Sequence, residues 1–222
     1  MTEQRDMPNE ELPREFIVRM FPLPAPLFPG VRLPFHVFEP RYRELLGDTL
    51  DADGHIGIPF VRPGPPGRFG PDIAPIFGVG EVTGYKTADD GTSDIEVLGR
   101  FRVRLVEEIP SDTLYRRARV VRMDEVLPTP VEEALLVTQL RDQLSSLLRA
   151  GISKSAQTWM QGLFDPASGL PVMGAEFLVN IVSTLIIGDP SVRQAILEES
   201  SVLERSRHLG HILTTLSEEL GG

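Results

Sequence analysis

Residues 21–46 read FPLPAPLFPGVRLPFHVFEPRYRELL, and this stretch constrains the fold more than any other. Six prolines fall in its first twenty positions, so no helix runs through it. Each proline lacks an N–H and clashes with the preceding helical turn. Yet Phe21, Leu27, Phe28, Leu33, Phe35, Val37 and Phe38 are large and apolar, which a disordered linker is not. A segment with both properties must be irregular or extended, stiff, and held against something.

Up to about residue 127 the apolar pattern is short and strand-like. EFIVRMFPL, GHIGIPFVRPG and PIFGVGEVTGYKT are strands punctuated by Gly and Pro, and YRRARVVRMDEVL is a further one. In SDIEVLGRFRVRLVEEI, Phe101, Val103 and Leu105 alternate with Arg100, Arg102 and Arg104, which predicts an apolar face turned inward and an arginine stripe turned out. Asp90-Gly91 predicts a hairpin turn between this strand and the one ending at Thr87. One helix is expected from Glu39-Pro40, because proline at the first helical position loses no hydrogen bond and Tyr42, Leu45 and Leu46 share a face.

After LPTP (127–130) the period becomes helical. Leu136, Leu140, Leu144, Leu147 and Leu148 recur at three- and four-residue steps, with Glu132 and Glu133 in the first turn and Arg149 in the last. Further helices are expected at about 155–164, 174–187, 190–199 and 201–220, with LFDPASGLP as a loop and Asp189-Pro190 as a cap and first-turn proline. Each apolar stripe needs a cover, so the helices are expected to form a bundle. The division is a flexible tail (1–14), a β-rich part (15–128) and a helical part (129–222), an α+β organisation.

The chain has no cysteine, which removes disulfides, thiolate chemistry and cysteine metal sites and makes a reducing cytoplasm the simplest home. No apolar run is long enough for a membrane span, and the polar, acidic first fourteen residues are no signal peptide. Net charge is −10, distributed as −2 over residues 1–14, −3 over 15–127 and −5 over 128–222, so a nucleic-acid partner is not expected.

Enzyme signatures fail one after another. There is no phosphate-cradling G-x-x-x-x-G-K-[ST] and no G-x-S-x-G elbow. GPPGRFG (64–70) has no following helix and reads as a mobile surface loop. DADGH (51–55) lacks the glutamate of a calcium loop and reads as a helix exit. His208 and His211, with Glu204, have metal-ligand spacing but also the spacing of any helix surface, and no metal is expected. His36, among aromatics, has no nucleophile in sight, and Trp159 reads as helix core. Arg100, Arg102 and Arg104, joined by Arg116, Arg117, Arg119 and Arg122, form either a basic docking patch for acidic segments or one side of cross-strand pairs with Glu81, Asp94 and Glu96.

The opening stretch resembles the start of the substrate-binding domain at the N-terminus of Lon proteases, a domain also present in cereblon. The likeness continues in order through GHIGIPFV, FGVGEVTGYKTADDGTSDIEVLGRFRVRLVEE, YRRARVVRM and FLVNIVSTLIIGDPSVRQAILEESSVLERSRHLGHIL, covering nearly the whole chain from Phe16 onward. The resemblance implies a bacterial protein related to ATP-dependent proteolysis, with a PUA-like pseudo-β-barrel followed by a helical bundle. In full-length Lon this domain recognises unfolded or tagged proteins for an ATPase ring and a protease. Neither of those machineries has a motif here, so the expectation is binding without catalysis and without a cofactor. Candidate contacts for an extended polypeptide are Phe28, Val31, Arg32, Arg41 and Phe69, drawn from the two Pro-, Gly- and Phe-rich loops at 22–34 and 62–71; Phe28 and Val31 suit a core position equally. Two alternatives stay open. One is an adaptor docking on a separate protease or chaperone through its acidic helical half. The other is a small-molecule binder or hydrolase using a cleft near His36, Glu39 and Arg41.

Overall fold

A computed structural model describes residues 13–150, Leu163 and 174–221. The N-terminal tail to residue 12, the expected helix at 155–164 with Trp159, and most of the LFDPASGLP loop lie outside the described residues. Chain contacts divide the protein into two compact units, Met1–Met123 and Asp124–Gly222.

The first unit contains strands β1 (Glu15–Met20), β2 (Arg32–Val37), β3 (His55–Ile58), β4 (Ile76–Thr87), β5 (Ser93–Ile109) and β6 (Arg116–Arg122), with helix α1 (Pro40–Leu50) between β2 and β3. The sheet order is β2-β5-β4-β3-β1-β6, and β5 pairs again with β6. The second pairing closes β5, β4, β3, β1 and β6 into a circuit. The length of β5 makes this possible: Ser93–Leu98 carries β2, while Val103–Ile109 carries β6. Among the pairings of the described strands, β1–β3 is the parallel one, through Met20 and Gly57, and the isolated Leu23–Phe60 bridge continues it in the same sense.

The β4–β5 hairpin turns where Asp90-Gly91 predicts. Gly91 has φ +80°, and the Asp90 carboxylate accepts from Thr92 N at 2.9 Å and Thr92 Oγ1 at 2.8 Å. Those two bonds hold the Asp90 carboxyl below its ordinary pKa. Helix α1 starts at Pro40 and buries Tyr42, Leu45, Leu46 and Thr49.

The proline-rich stretch runs across β4 and β5 rather than around the outside of the sheet. Leu27 and Phe28 are fully buried, and Val31 is nearly so. Their backbone presses on strand positions that only glycine can occupy. A Cβ added to Gly78 would lie 2.0 Å from the Leu27 carbonyl oxygen, and one added to Gly99 would lie 2.1 Å from that of Phe28. Gly80 leaves room for the Leu27 side chain in the same way. Glycine inside a strand marks a close approach of another backbone, and here the partner is the kinked segment. Around it form two apolar clusters: one has Leu27, Tyr42, Leu45, Ile56 and Val97 at its centre, the other Val18, Met20, Phe77, Val103 and Val120.

The alternation read from β5 holds only in part. Val103 is buried and Arg100 and Arg104 are exposed, but Arg102 is fully buried. Both faces of the strand are covered at Arg102–Val103, so a rule assuming one wet face fails there.

Unit two contains α2 (Pro130–Ala150), α3 (Ala175–Ile186), α4 (Pro190–Glu198) and α5 (Val202–Gly221) among its described residues. Thr129 and Glu132 form a capping box at the start of α2, Thr129 N donating to Glu132 Oε2 at 2.8 Å. Asp189 caps α4 by accepting from Ser191 N at 2.8 Å. Gln143 of α2 donates to the Gly210 carbonyl of α5 at 3.1 Å, where a side chain at Gly210 would crowd it. Asn180, the polar residue inside the most apolar helix, is buried and accepts from Arg205 at 2.9 Å; Arg205 also pairs with Glu125. No described helix is long and apolar enough to cross a membrane.

Two glycine substitutions should move stability in opposite directions. Gly99→Ala drives a methyl into a backbone carbonyl and should cost about 3 kcal/mol. Gly47→Ala, in α1 with nothing within 4 Å, should gain about 0.5–1 kcal/mol from helix propensity. Urea unfolding of both variants at constant m-value checks this.

Candidate functional site

A cavity of about 200 Å³ opens on the first unit where four chain segments meet. Pro22 comes from the kinked segment just after β1, and Arg41 and Tyr42 from the first turn of α1. The β3–β4 connection supplies Val61, Phe69, Gly70 and Pro71, the turn before β6 supplies Leu114 and Tyr115, and the first residue of β6 supplies Arg116.

Each wall is fixed by identifiable bonds. The β3–β4 connection is pinched at its base by Arg62 N donating to Asp72 O at 2.9 Å and at its tip by Gly67 N donating to Gly70 O at 2.7 Å. Gly70 has φ +111°, a conformation glycine adopts without strain. Arg116 pins the loop from outside: its Nη1 donates to Pro71 O at 2.8 Å, while Nε and Nη2 hold the Glu108 carboxylate at 2.8 and 2.6 Å. The turn before β6 is tied to α1 by Leu114 N donating to Glu44 Oε1 at 3.3 Å and by Tyr115 O–H donating to Asp48 Oδ2 at 2.5 Å. On α1, the Tyr42 ring lies 4.4 Å from that of Phe21, and the Arg41 guanidinium sits 4.4 Å over the Tyr42 ring while Nε donates to Glu39 at 2.9 Å.

Both tyrosines keep their protons. Burial raises the Tyr42 hydroxyl against the opposing charge of Arg41. Burial, then the Asp48 hydrogen bond and charge, raises Tyr115. The lining is therefore apolar and aromatic with neutral hydroxyls, and it carries guanidinium groups at its margin. Leu114 is 62% exposed at the lip, a large apolar side chain held in water by a braced turn. Arg68 stacks on Phe69 at 5.2 Å and has no carboxylate partner among the described residues. Among the described residues no cluster of three metal-ligating side chains occurs.

The cavity brings together two of the five residues expected to touch polypeptide, Arg41 and Phe69. Arg32 lies elsewhere, on β2, paired with Glu96 and donating to Thr83 Oγ1 at 2.9 Å. Phe28 and Val31 are corrected from rim to core, because their segment is clamped on Gly78 and Gly99. The arginine patch is corrected as well. Arg100 pairs with Glu81 at 2.5 Å, Arg119 with Glu107 at 3.0 Å and Arg116 with Glu108, Arg122 covers the Phe101 ring, Arg102 is buried, and Arg104 is exposed. Exposed His36 lies outside the cavity, 2.7 Å from Asp94 and stacked on Phe38. His208 and His211 are exposed on α5, where Glu204 is taken by Arg207. Sequence reading missed Pro22, Val61, Tyr42, Leu114 and Tyr115 as site residues. The readable signal was Leu114, the one large apolar residue in the polar run SDT before Tyr115.

The model of the ATP-dependent protease La (LON) substrate-binding domain matches residues 17–215. The chain belongs to this LON substrate-binding domain family. Solved structures of similar fold include a Lon N-terminal domain protein from Xanthomonas campestris, with a TM-score of 0.61 at 19% identity over 87% of this chain and 96% of that one. Another is the N-terminal domain of the Lon protease from Mycobacterium avium complex, with a TM-score of 0.65 at 15% identity over 92% of this chain and 99% of that one. At these identities the likeness is one of fold. No curated protein sequence matches the chain.

Tyr115 provides a test of how the LON-domain cavity is braced. Its pKa is raised from 10.0, so the stability tied to the bound proton is complete below pH 10 and is lost as pH rises through the higher folded-state value. Tyr115→Phe should cost about 2 kcal/mol at neutral pH, the worth of a hydrogen bond to a charged acceptor. Melting temperatures followed by circular dichroism should fall more steeply above pH 10 in the parent than in the variant.

Proposed function

We propose that this LON-family protein binds extended or unfolded polypeptide at the cavity between α1, the β3–β4 connection and the turn before β6, with no chemistry of its own. The carrying observation is a pre-braced, mainly apolar cavity with an exposed leucine at its lip and arginines at its margin. Its volume suits one large side chain. Seating a leucine or phenylalanine there is worth roughly 1.5–3 kcal/mol, so a single site gives a weak grip. Holding a long client would rest on several weak contacts acting together. The family's substrate-recognition role supports the same reading. The strand circuit is taken as the PUA-like pseudo-barrel and the helices after Asp124 as its accompanying bundle. A reducing cytoplasm is proposed from the cysteine-free sequence.

Binding by strand addition is disfavoured. Among the described strands only β2 is paired on one side alone. Gly99 N donates to Val31 O at 2.8 Å, so alternation aims the backbone groups of Leu33 and Phe35 at β5 and those of Arg32, Pro34 and His36 outward. Pro34 has no N–H to offer at the centre of that edge.

Titration of a fluorescein-labelled, permanently unfolded polypeptide, followed by anisotropy, tests the proposal. Phe69→Ala and Leu114→Asp should each weaken binding about five- to tenfold, and Arg32→Ala should leave it unchanged. Equal affinity in all four proteins sinks this assignment.

A second reading, adaptor docking, is favoured by one observation in the other unit. Val131 and Leu135 at the start of α2, and Leu127 just before it, are exposed, Val131 to 71%. An exposed apolar patch of that kind suits a protein partner. Under it, Val131→Asp with Leu135→Asp should abolish co-purification of one specific protease or chaperone at unchanged melting temperature.

A further inference from the structure

The cavity margin carries charges that the apolar-anchor reading does not use. Arg68 lies on the exposed β3–β4 connection with its guanidinium 5.2 Å from the Phe69 ring and no carboxylate partner among the described residues. Arg41, on the wall formed by α1, is half-exposed; its Nε and Nη2 both reach a single Glu39 oxygen, at 2.9 and 2.8 Å, which leaves Nη1 uncommitted. Arg116, by contrast, spends its fork on Glu108 and Pro71. Three acidic groups around the cavity are engaged: Glu108 by Arg116, Asp48 by Tyr115, and Glu44 by Leu114 N. The mouth therefore keeps guanidinium donors to spare on two sides, while the nearby carboxylates of Glu39, Glu44, Asp48 and Glu108 each already accept from a donor. This holds although the chain as a whole is at −10.

We infer that the site reads charge beside its anchor, preferring polypeptide segments in which one large apolar or aromatic side chain is flanked by aspartate or glutamate. The anchor fills the cavity against Phe69 and Leu114, and the flanking carboxylates meet Arg68 on one side and Arg41 on the other. Both cations lie on aromatic faces, Arg68 on Phe69 and Arg41 on Tyr42. Stacking holds each planar fork in place while its edge stays free to donate, which lowers the entropy lost when a carboxylate binds. Because these contacts are exposed, the preference is modest and falls with ionic strength. Segments with lysine or arginine beside the anchor are repelled by the same two groups, so the discrimination has both an attractive and a repulsive arm.

This inference rests on the cavity being the polypeptide site, and the test separates the two. Short fluorescein-labelled Gly/Ser peptides carry one central phenylalanine flanked on both sides by aspartate, by asparagine or by lysine; a fourth has aspartate flanks and alanine at the centre. Anisotropy titrations of the full chain at low ionic strength should give the order aspartate, asparagine, lysine, with about tenfold between the extremes and little binding of the alanine peptide. Arg68→Gln should shrink the spread to about threefold, and added salt should do the same. Equal binding of the three phenylalanine peptides, still weakened by Phe69→Ala, overturns the charge preference and leaves the site standing. Binding of none of them, or binding indifferent to Phe69→Ala, overturns both.

Discussion

The structure depends on a backbone-to-backbone contact. Carbonyls of Leu27 and Phe28 rest where side chains of Gly78 and Gly99 would otherwise stand, so an irregular segment is laid directly on two paired strands. Apolar burial alone would tolerate many positions for Leu27 and Phe28, since it is non-directional. Clearance at the glycines admits far fewer. With that segment fixed, β2 meets β5 in one register, α1 starts where Pro40 allows, and Pro22 and Tyr42 come to the same side of the molecule.

The cavity follows from this placement at second hand. None of its walls is a regular element facing another; each is a connection or a helix end held by one or two polar bonds. Arg116 holds the β3–β4 connection, and Tyr115 with Leu114 holds the turn before β6 to α1. Loops braced in this way can carry an exposed leucine without collapsing over it, because the backbone groups that would drive collapse already have partners. The stacked arginines use the same device, with aromatic faces in place of carbonyls.

Much of the fold was legible because local signals agreed with the final architecture. Proline at 40, Asp-Gly at 90–91, the capping pair Asp189-Pro190 and the leucine spacing after 130 each correspond to an element in place. The site was less legible for a physical reason. Phe28 and Phe69 look alike in sequence, each a phenylalanine in a Pro/Gly-rich loop, and only the glycines of distant strands decide that the first is core. Those glycines were visible in FGVGEV and VLGRF, but their meaning depends on what crosses them. Arg102 shows the same limit: its alternation with Phe101 and Val103 is real, yet burial of both faces is a tertiary fact. Leu114 and Tyr115 escaped notice because a turn gathers residues by geometry that no periodicity encodes.

The proline in the middle of β2 has a bearing on what such a protein handles. Chains that have lost their native structure offer bare main-chain donors and acceptors, and a receptive sheet margin would extend itself with them, one strand nucleating the next. With the donor deleted at Pro34, that margin is a poor seed. Under the proposed function, sticky clients would be touched by their side chains, and this margin would not become the first layer of their fibril.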